Sequence, residues 1–187
     1  MNTFVPRGQD YLTGARELDT KRLVKQLVEC QQIYDALLTH QPVSIFHHPA
    51  TQMWDKQLPA LLDYAAAVYV AYRERFPGRR HKSGDYLASA RAQYAGEFPP
   101  PEWVEELKPY HQAKLHWKDQ QHYAQYEPRA STEPAYPITC DGKLVGWVHK
   151  PANSPKWFIA SRYNKGYSSA WEAVSFLRKE VKDGLLL

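Results

Sequence analysis

Hydrophobic positions in the first two-thirds of the chain recur every three or four residues, which is typical of helices that pack through one face. The clearest segment has Asp19 as its expected N-cap and Gln41-Pro42 as its expected end. Its apolar face comprises Leu23, Leu27, Cys30, Tyr34, Leu37 and Leu38. We therefore predict a helix from Asp19 toward His40.

Further helices are expected up to Tyr126, separated by proline and glycine. They run from Pro49 or Pro59 to Pro77-Gly78, from Ser83 to Tyr94, and from Pro101 to Tyr126, the last either as one helix or as a pair broken at Pro109. The fold class predicted for this part is mainly α.

The hydrophobic period changes to two after residues 127–135, which read as a linker. Three strands are predicted: Tyr136–Cys140, Leu144–Val148 and Lys156–Arg162, with turns at Asp141-Gly142 and Asn164–Gly166. Ser169 and Glu172 form the capping box of a last helix. The expected organisation is a helical domain at 1–126, a linker at 127–135 and a three-strand-plus-helix (βββα) module at 136–187.

Composition is that of a globular protein: of 187 residues, 43% are hydrophobic and 24% are charged. The chain lacks a run of about 18 apolar residues, so no membrane span is expected. Met1–Asp10 lacks the pattern of a signal peptide, and two cysteines cannot make a disulfide framework. We expect a cytoplasmic protein.

The net charge of +4 is too small to indicate a partner by itself, so only local clusters of charge are informative. Arg79, Arg80, His81 and Lys82 form one basic group, and Lys156, Arg162 and Lys165 alternate with Trp157, Phe158 and Tyr163 in a second. Cations beside aromatic rings suit nucleic acid, since they meet phosphates while rings stack on bases. The alternative is an ordinary solvated surface.

The first long helix carries a second polar pattern. At about 100° per residue, Arg22, Lys25, Gln26 and Glu29 share one face, turned away from the leucines. One interpretation is an exposed face with a Lys25–Glu29 ion pair. The other is a carboxylate among cations that opposes positive charge on a reacting sugar. Spacing alone does not decide between them.

Other chemistries find little support in the sequence. Histidines occur at His47, His48, His81, His111, His116 and His122, but without the H-x-x-x-H spacing of a helical metal site. The chain also lacks a P-loop, a dinucleotide fingerprint and a G-x-S-x-G elbow. Cys30 falls on an apolar face. We expect no metal and no cofactor.

Taken in order, several short motifs resemble the small helical pyrimidine-dimer DNA glycosylases of phage and bacteria, particularly the bacterial branch that opens with M-N-T-F. The matching residues are Met1-Asn2-Thr3-Phe4, Leu18-Asp19, Arg22-Leu23, Lys25-Gln26, Glu29, His48-Pro49, Met53-Trp54, His111, Leu115, Lys118-Asp119 and His122-Tyr123. The resemblance covers about the first 126 residues and leaves the strand-rich tail outside it.

The resemblance implies an enzyme that displaces a nucleotide from double-stranded DNA and breaks its base–sugar bond. Glu29 matches the family's catalytic glutamate, and the family's nucleophile is the α-amine of the chain. Asn2 disfavours removal of the initiator, so that amine would belong to Met1; water activated by Glu29 is the alternative. The residues expected to contact DNA or line the site are Asn2, Asp19, Arg22, Lys25, Gln26, His48, Arg79, Arg80, Lys82, His111, Lys118, His122 and Tyr123.

The first interpretation is therefore a monomeric DNA glycosylase, with or without lyase activity, acting on a damaged or bulky modified pyrimidine in repair or in phage defence. An alternative is a non-catalytic nucleic-acid-binding protein that uses the C-terminal module with Trp147, Trp157, Phe158 and Tyr163. A third is an enzyme acting on free nucleosides or nucleotides, against which the basic clusters argue.

Overall fold

A computed structural model describes residues 3–41, 43–126, 135–140, 143–149, 157–159, 162–168 and 170–183. Within these ranges the protein is mainly helical, as predicted. The helices are α1 (Tyr11–Glu17), α2 (Thr20–Thr39), α3 (Val43–Phe46), α4 (Pro49–Gln52), α5 (Leu58–Arg75), α6 (Lys82–Arg91), α7 (Trp103–Lys118) and α8 (Ala170–Lys182), and a 3₁₀ turn occupies Ala124–Tyr126.

Helix α2 begins and ends close to the prediction. The Asp19 side chain accepts a hydrogen bond from the Arg22 backbone N–H, which caps the helix. His40 ends it in the left-handed region, with φ of 56°. Helix α5 likewise begins with Pro59 in its first turn and ends before Pro77.

The helix predicted to reach Tyr126 ends earlier, at Lys118. Asp119 leaves helical geometry with φ of −160°, and its carboxylate accepts from the His122 backbone N–H instead. Pro109 does not divide α7. Because Pro109 is exposed, the carbonyl that loses its helical partner there can be solvated. Helix α1 was not predicted.

The C-terminal sheet has four strands in the described residues, so the prediction of three strands (βββα) is wrong. The strands are β1 (Ala135–Cys140), β2 (Lys143–His149), β3 (Trp157–Ile159) and β4 (Arg162–Tyr167), paired antiparallel in the order β1-β2-β3-β4. The predicted turn at 164–166 lies inside β4. The chain reverses instead between Ile159 and Arg162, which pair with each other.

Two hydrophobic clusters organise the molecule. The larger joins α1, α2, α5, α6 and α7 around Trp54, Tyr64 and Trp103, all at most 2% exposed. The smaller packs β1, β2 and β4 against α8 through Ile138, Val148, Tyr167, Ala173, Val174 and Leu177.

The sheet and α8 contact the helical part directly. Strand β1 lies against α4 and α7, and α8 lies against α4. Arg178 of α8 donates to the Gln52 side-chain oxygen, and its Nη2 lies 3.7 Å from an Asp55 carboxylate oxygen. Of the predicted linker, residues 127–134 lie outside the described residues, and Ala135 begins β1. Ser169 of the predicted capping box also lies outside them, while Glu172 accepts from the Ser168 backbone N–H.

Candidate active site

The segment Thr3–Gln9, here called the N-terminal arm, is held by side chains from α2 and α7 and by Trp54, which lies just after α4. The Phe4 N–H donates to Gln26 Oε1 of α2 over 2.9 Å, and the Val5 N–H donates to His111 Nδ1 of α7 over 3.0 Å. Thr3 is fully buried, and its hydroxyl accepts from Trp54 Nε1 over 2.9 Å. The start of the described chain therefore has a fixed position beside α2.

The second half of the arm is bound by α7. Gln112 Nε2 donates to the Pro6 carbonyl over 2.8 Å, and the Gln9 N–H donates to Glu105 Oε1 over 2.7 Å. Gly8 has φ of 61°, a conformation that favours glycine, and a Cβ at that position would lie 2.0 Å from Glu105 Oε1. The arm thus fits α7 closely along its length.

Glu29 is buried beside this arm, with only 5% of its surface exposed. Gln26, at 1% exposure, donates its side-chain Nε2 to Glu29 Oε2 over 3.0 Å. The interpretation of an ordinary exposed face is therefore wrong for Gln26 and Glu29, because Tyr64 of α5 and the arm lie against that side of α2. Lys25 remains exposed, and its Nζ lies 3.6 Å from Glu29 Oε1, as the spacing predicted.

Two cations on different helices interact with the Glu29 carboxylate, Lys25 on α2 and Lys118 on α7. We call Arg22, Lys25, Lys114 and Lys118 the basic cluster. Burial lowers the pKa of Lys118, and the positive charges of Lys114, Arg22 and Lys25 lower it further, whereas Glu29 acts in the opposite direction. Because the positive charges of the cluster repel one another, an anion bound among them would be stabilised.

Lys114 was not among the predicted site residues. It follows His111 by three residues and precedes Lys118 by four, so helical spacing alone places the three on one face of α7. That spacing was the signal by which it could have been found. Tyr64, whose hydroxyl lies 2.7 Å from Gln26 Oε1, was also missed. Its position in α5 resembles that of any core aromatic residue.

Asp19 and Tyr123 hold Arg22 in place. Asp19 Oδ2 lies 2.5 Å from Arg22 Nη1 and accepts from the Tyr123 hydroxyl over 2.6 Å. Burial opposes ionisation of Asp19, but the hydrogen bonds from Tyr123 and Arg22 outweigh it and lower the Asp19 pKa. The Arg22 guanidinium also lies over the Tyr123 ring, 5.7 Å from its centroid. Asp19 and Tyr123 are thus positioned to orient Arg22 within the basic cluster.

Two of the predicted histidines are held in the neutral form. Burial lowers the pKa of His111 to about 3, and Lys114 contributes to the shift. Burial also lowers the pKa of His48 to about 4, and the positive charge of Lys114 contributes. His48 caps α4 by accepting from the Ala50 N–H over 3.0 Å. His122 is exposed, and its Nε2 lies 3.1 Å from the Glu17 carbonyl oxygen.

The predicted basic group at 79–82 forms a separate surface in the turn between α5 and α6. Arg79 lies over the Phe76 ring, 5.9 Å from its centroid, and Arg80 pairs with Asp85 over 3.0 Å. Arg79, Arg80 and Lys82 are exposed, and these contacts are local to the turn.

Some predicted site residues cannot be assigned a place. Met1 and Asn2 lie outside the described residues.

Within the part of the chain that the structure describes, no group of three metal-binding side chains is found. No described helix is long and apolar enough to cross a membrane.

Comparison with known proteins identifies one family. Residues 1–83 match the family model described as pyrimidine dimer DNA glycosylase. Neither a curated protein nor a solved structure matches the chain. The matched segment includes Thr3, Gln26, Glu29 and Trp54 but ends before α7, which supplies Lys114 and Lys118. Residues 1–83 of the chain are therefore similar to the pyrimidine dimer DNA glycosylase family.

Proposed function

We propose that the protein is a DNA glycosylase that excises a damaged or bulky modified pyrimidine from double-stranded DNA, with Glu29 as its catalytic carboxylate. The observation that carries the proposal is the position of Glu29: a buried carboxylate, bonded to Gln26 and 3.6 Å from the Lys25 ammonium, in the segment that matches the family model.

Breaking a base–sugar bond leaves positive charge on the sugar at C1′. A carboxylate held in a site with little water stabilises that charge far more strongly than one in bulk water. Glu29 suits this role because it is at most 5% exposed and its Oε2 is already oriented by Gln26. Glu29 also carries protons when a sugar ring opens or when water attacks.

Two nucleophiles are compatible with this arrangement. The first is the α-amine of the chain, as in the resemblance described above, which attacks C1′ and forms a covalent imine after loss of the base. The second is water, activated by Glu29, which leaves an intact abasic site. The described start of the chain supports the first: Thr3 accepts from Trp54, and the adjacent Phe4 N–H donates to Gln26, which in turn bonds Glu29.

The basic cluster would bind the phosphates that flank the excised nucleotide. Phosphate contacts fix the position of the protein on the duplex without reading sequence. Arg22 is already oriented by Asp19 and Tyr123, which reduces the entropy lost on binding. The exposed turn with Arg79, Arg80 and Lys82 would extend the same contact along the DNA.

The biological setting follows from the substrate. A pyrimidine dimer would indicate DNA repair, whereas a decorated phage base would indicate defence. Both classes of base must leave the helix before a glycosidic bond can be reached, at a cost of a few kcal/mol that damage reduces.

The proposal is tested with end-labelled duplexes that contain a thymine dimer, a hydroxymethylated pyrimidine or a glucosylated pyrimidine. Each is incubated with the protein with and without borohydride. Base release with a trapped adduct, lost when the terminus is acetylated, indicates the amine; base release without an adduct indicates water. Salt-sensitive binding with no release from any duplex would contradict the proposal and favour the non-catalytic binding protein.

A further inference from the structure

The Gln26 side chain joins three buried groups from different parts of the fold. Its Oε1 lies 2.9 Å from the Phe4 backbone nitrogen and 2.7 Å from the Tyr64 hydroxyl. Its Nε2 lies 3.0 Å from Glu29 Oε2. The arm, α5 and α2 therefore meet at one carboxamide.

Chemistry permits one orientation of that carboxamide. The Phe4 N–H can only donate, so the Gln26 atom facing it must be the oxygen. The amide NH₂ group must then face Glu29, where it donates to the carboxylate. Rotation by 180° would place donor against donor and oxygen against carboxylate. Gln26 is 1% exposed, so water could not compensate for either loss.

Tyr64 reinforces this orientation. Burial raises its pKa well above the ordinary value of 10.0, which keeps the hydroxyl protonated and able to donate. That hydroxyl also lies 2.8 Å from the Phe4 carbonyl oxygen, so it contacts both the arm and the carboxamide. The ring is fixed by Tyr11, which packs edge-to-face against it with 5.2 Å between centroids.

We propose that Tyr64 is a positioning residue that acts through Gln26 to fix the Glu29 carboxylate relative to the N-terminal arm. The inference rests on the proposed function, because the role of Tyr64 is to orient Glu29 toward the reacting sugar. Among the described residues, Lys25 on the same helix and Lys118 on α7 are charged groups that also interact with Glu29. Both are cations that attract the carboxylate without fixing its orientation. The hydrogen bond from Gln26 does fix the direction of Oε2.

The test compares Tyr64→Phe, Gln26→Met and the double variant in single-turnover base release with saturating protein. Gln26→Met, which removes a hydrogen bond to an ionised group, is expected to lower the rate about 10- to 100-fold, and Tyr64→Phe, which removes one between neutral groups, about 2- to 10-fold. Affinity for the duplex should stay within about twofold, because both side chains are only 1% exposed. The double variant should be no slower than Gln26→Met alone, since Tyr64 acts through Gln26.

Tyr11→Phe is the matched control. It is the same substitution in the packed neighbour, and the buried Tyr11 hydroxyl makes no hydrogen bond to described residues. We expect a wild-type rate from it. A second readout does not depend on activity: the Gln26 side-chain amide protons should exchange slowly with solvent in the wild type and in Tyr11→Phe, and rapidly in Tyr64→Phe.

Two results would overturn the inference alone: base release by Tyr64→Phe at the wild-type rate, or a double variant whose losses multiply. Unchanged amide exchange in Tyr64→Phe would do the same. A wild-type protein that releases no base from any duplex would instead overturn the proposed function, and the inference with it.

Discussion

Lys25 and Glu29 lie one turn apart on α2 yet occupy opposite environments: the lysine side chain is 66% exposed and the glutamate side chain 7%. Their charged atoms are 3.6 Å apart, so an exposed ammonium group lies directly beside a buried carboxylate. A phosphate that approaches Lys25 would thus arrive beside Glu29.

The first prediction concerns Glu29→Gln, which retains the size of the side chain and removes its charge. We expect base release to fall about 10²- to 10⁴-fold, the usual contribution of a positioned acid or base. Duplex affinity should be retained or improved, because a negative charge near phosphates is lost. Single-turnover release and equilibrium binding measure the two effects. Glu106→Gln, an exposed carboxylate on α7, is the control; a Glu29 variant as active as this control would contradict the catalytic role.

Lys114→Ala and Lys118→Ala test the basic cluster. Each change should weaken binding roughly fivefold at low salt and reduce the slope of log affinity against log salt by about 1, independent of DNA sequence. Binding titrations between low and moderate salt give both quantities. Lys182→Ala removes an exposed lysine from α8 and should leave the slope unchanged. Unchanged slopes for both α7 variants would show that the cluster does not bind phosphate.

Neutral histidines make stability depend on pH. His111 has a folded pKa of about 3, below the ordinary value of 6.5, so the unfolded chain binds the extra proton between these values. The His111 contribution is complete above pH 6.5 and is lost as pH falls, by about 1.4 kcal/mol per pH unit. His111→Asn keeps an acceptor for the Val5 N–H but does not titrate, so its unfolding free energy should fall less steeply. Urea unfolding from pH 7 to pH 4 measures the slope, and the exposed His122→Asn should retain the wild-type one. Equal slopes in all three proteins would contradict the assignment.

Arg178→Ala tests the contact between α8 and the segment that carries His48. Its guanidinium bonds Gln52 and lies near Asp55, with 18% of the arginine side chain exposed. Loss of these contacts leaves the buried Gln52 oxygen with one partner fewer. We expect the free energy of unfolding to decrease by about 1–3 kcal/mol. Urea unfolding of this variant is compared with that of Lys179→Ala, an exposed neighbour, which should be near wild type. If both unfold alike, α8 does not stabilise α4.

The sequence predicted those features that depend on neighbours along the chain. Asp19 caps α2, and Pro59 begins α5, because both effects act within one helical turn. The end of α7 and the split of the third strand were missed. Asp119 ends α7 by bonding the N–H of His122, and Ile159 pairs with Arg162 across a short reversal that no glycine or proline marks.

The sequence predicted that Gln26 and Glu29 lie on the same face of α2, but it did not predict that this face is buried. Glu29 and Gln26 were assigned to one polar face, and periodicity cannot tell whether such a face is covered by another helix. Coverage arises from Tyr64 and from the arm, which reach α2 from 38 and 22 residues away. The spacing of His111, Lys114 and Lys118 along α7 could have predicted the basic cluster from the sequence. The buried hydrogen bonds of Gln26 could not be predicted in this way, because their partners are distant along the chain.

The contact between Val5 and His111 has a consequence for the order of assembly during synthesis. These residues are 106 positions apart, so at about 5–20 residues per second the ribosome needs roughly 5 to 20 seconds to make the second after the first. Until α7 emerges, the arm lacks the acceptors that His111 and Glu105 supply, although Glu29 and Gln26 have long been made. A nascent or prematurely terminated chain therefore contains Glu29 and Gln26 before the contacts between the arm and α7 exist, and those contacts form only once α7 has been made.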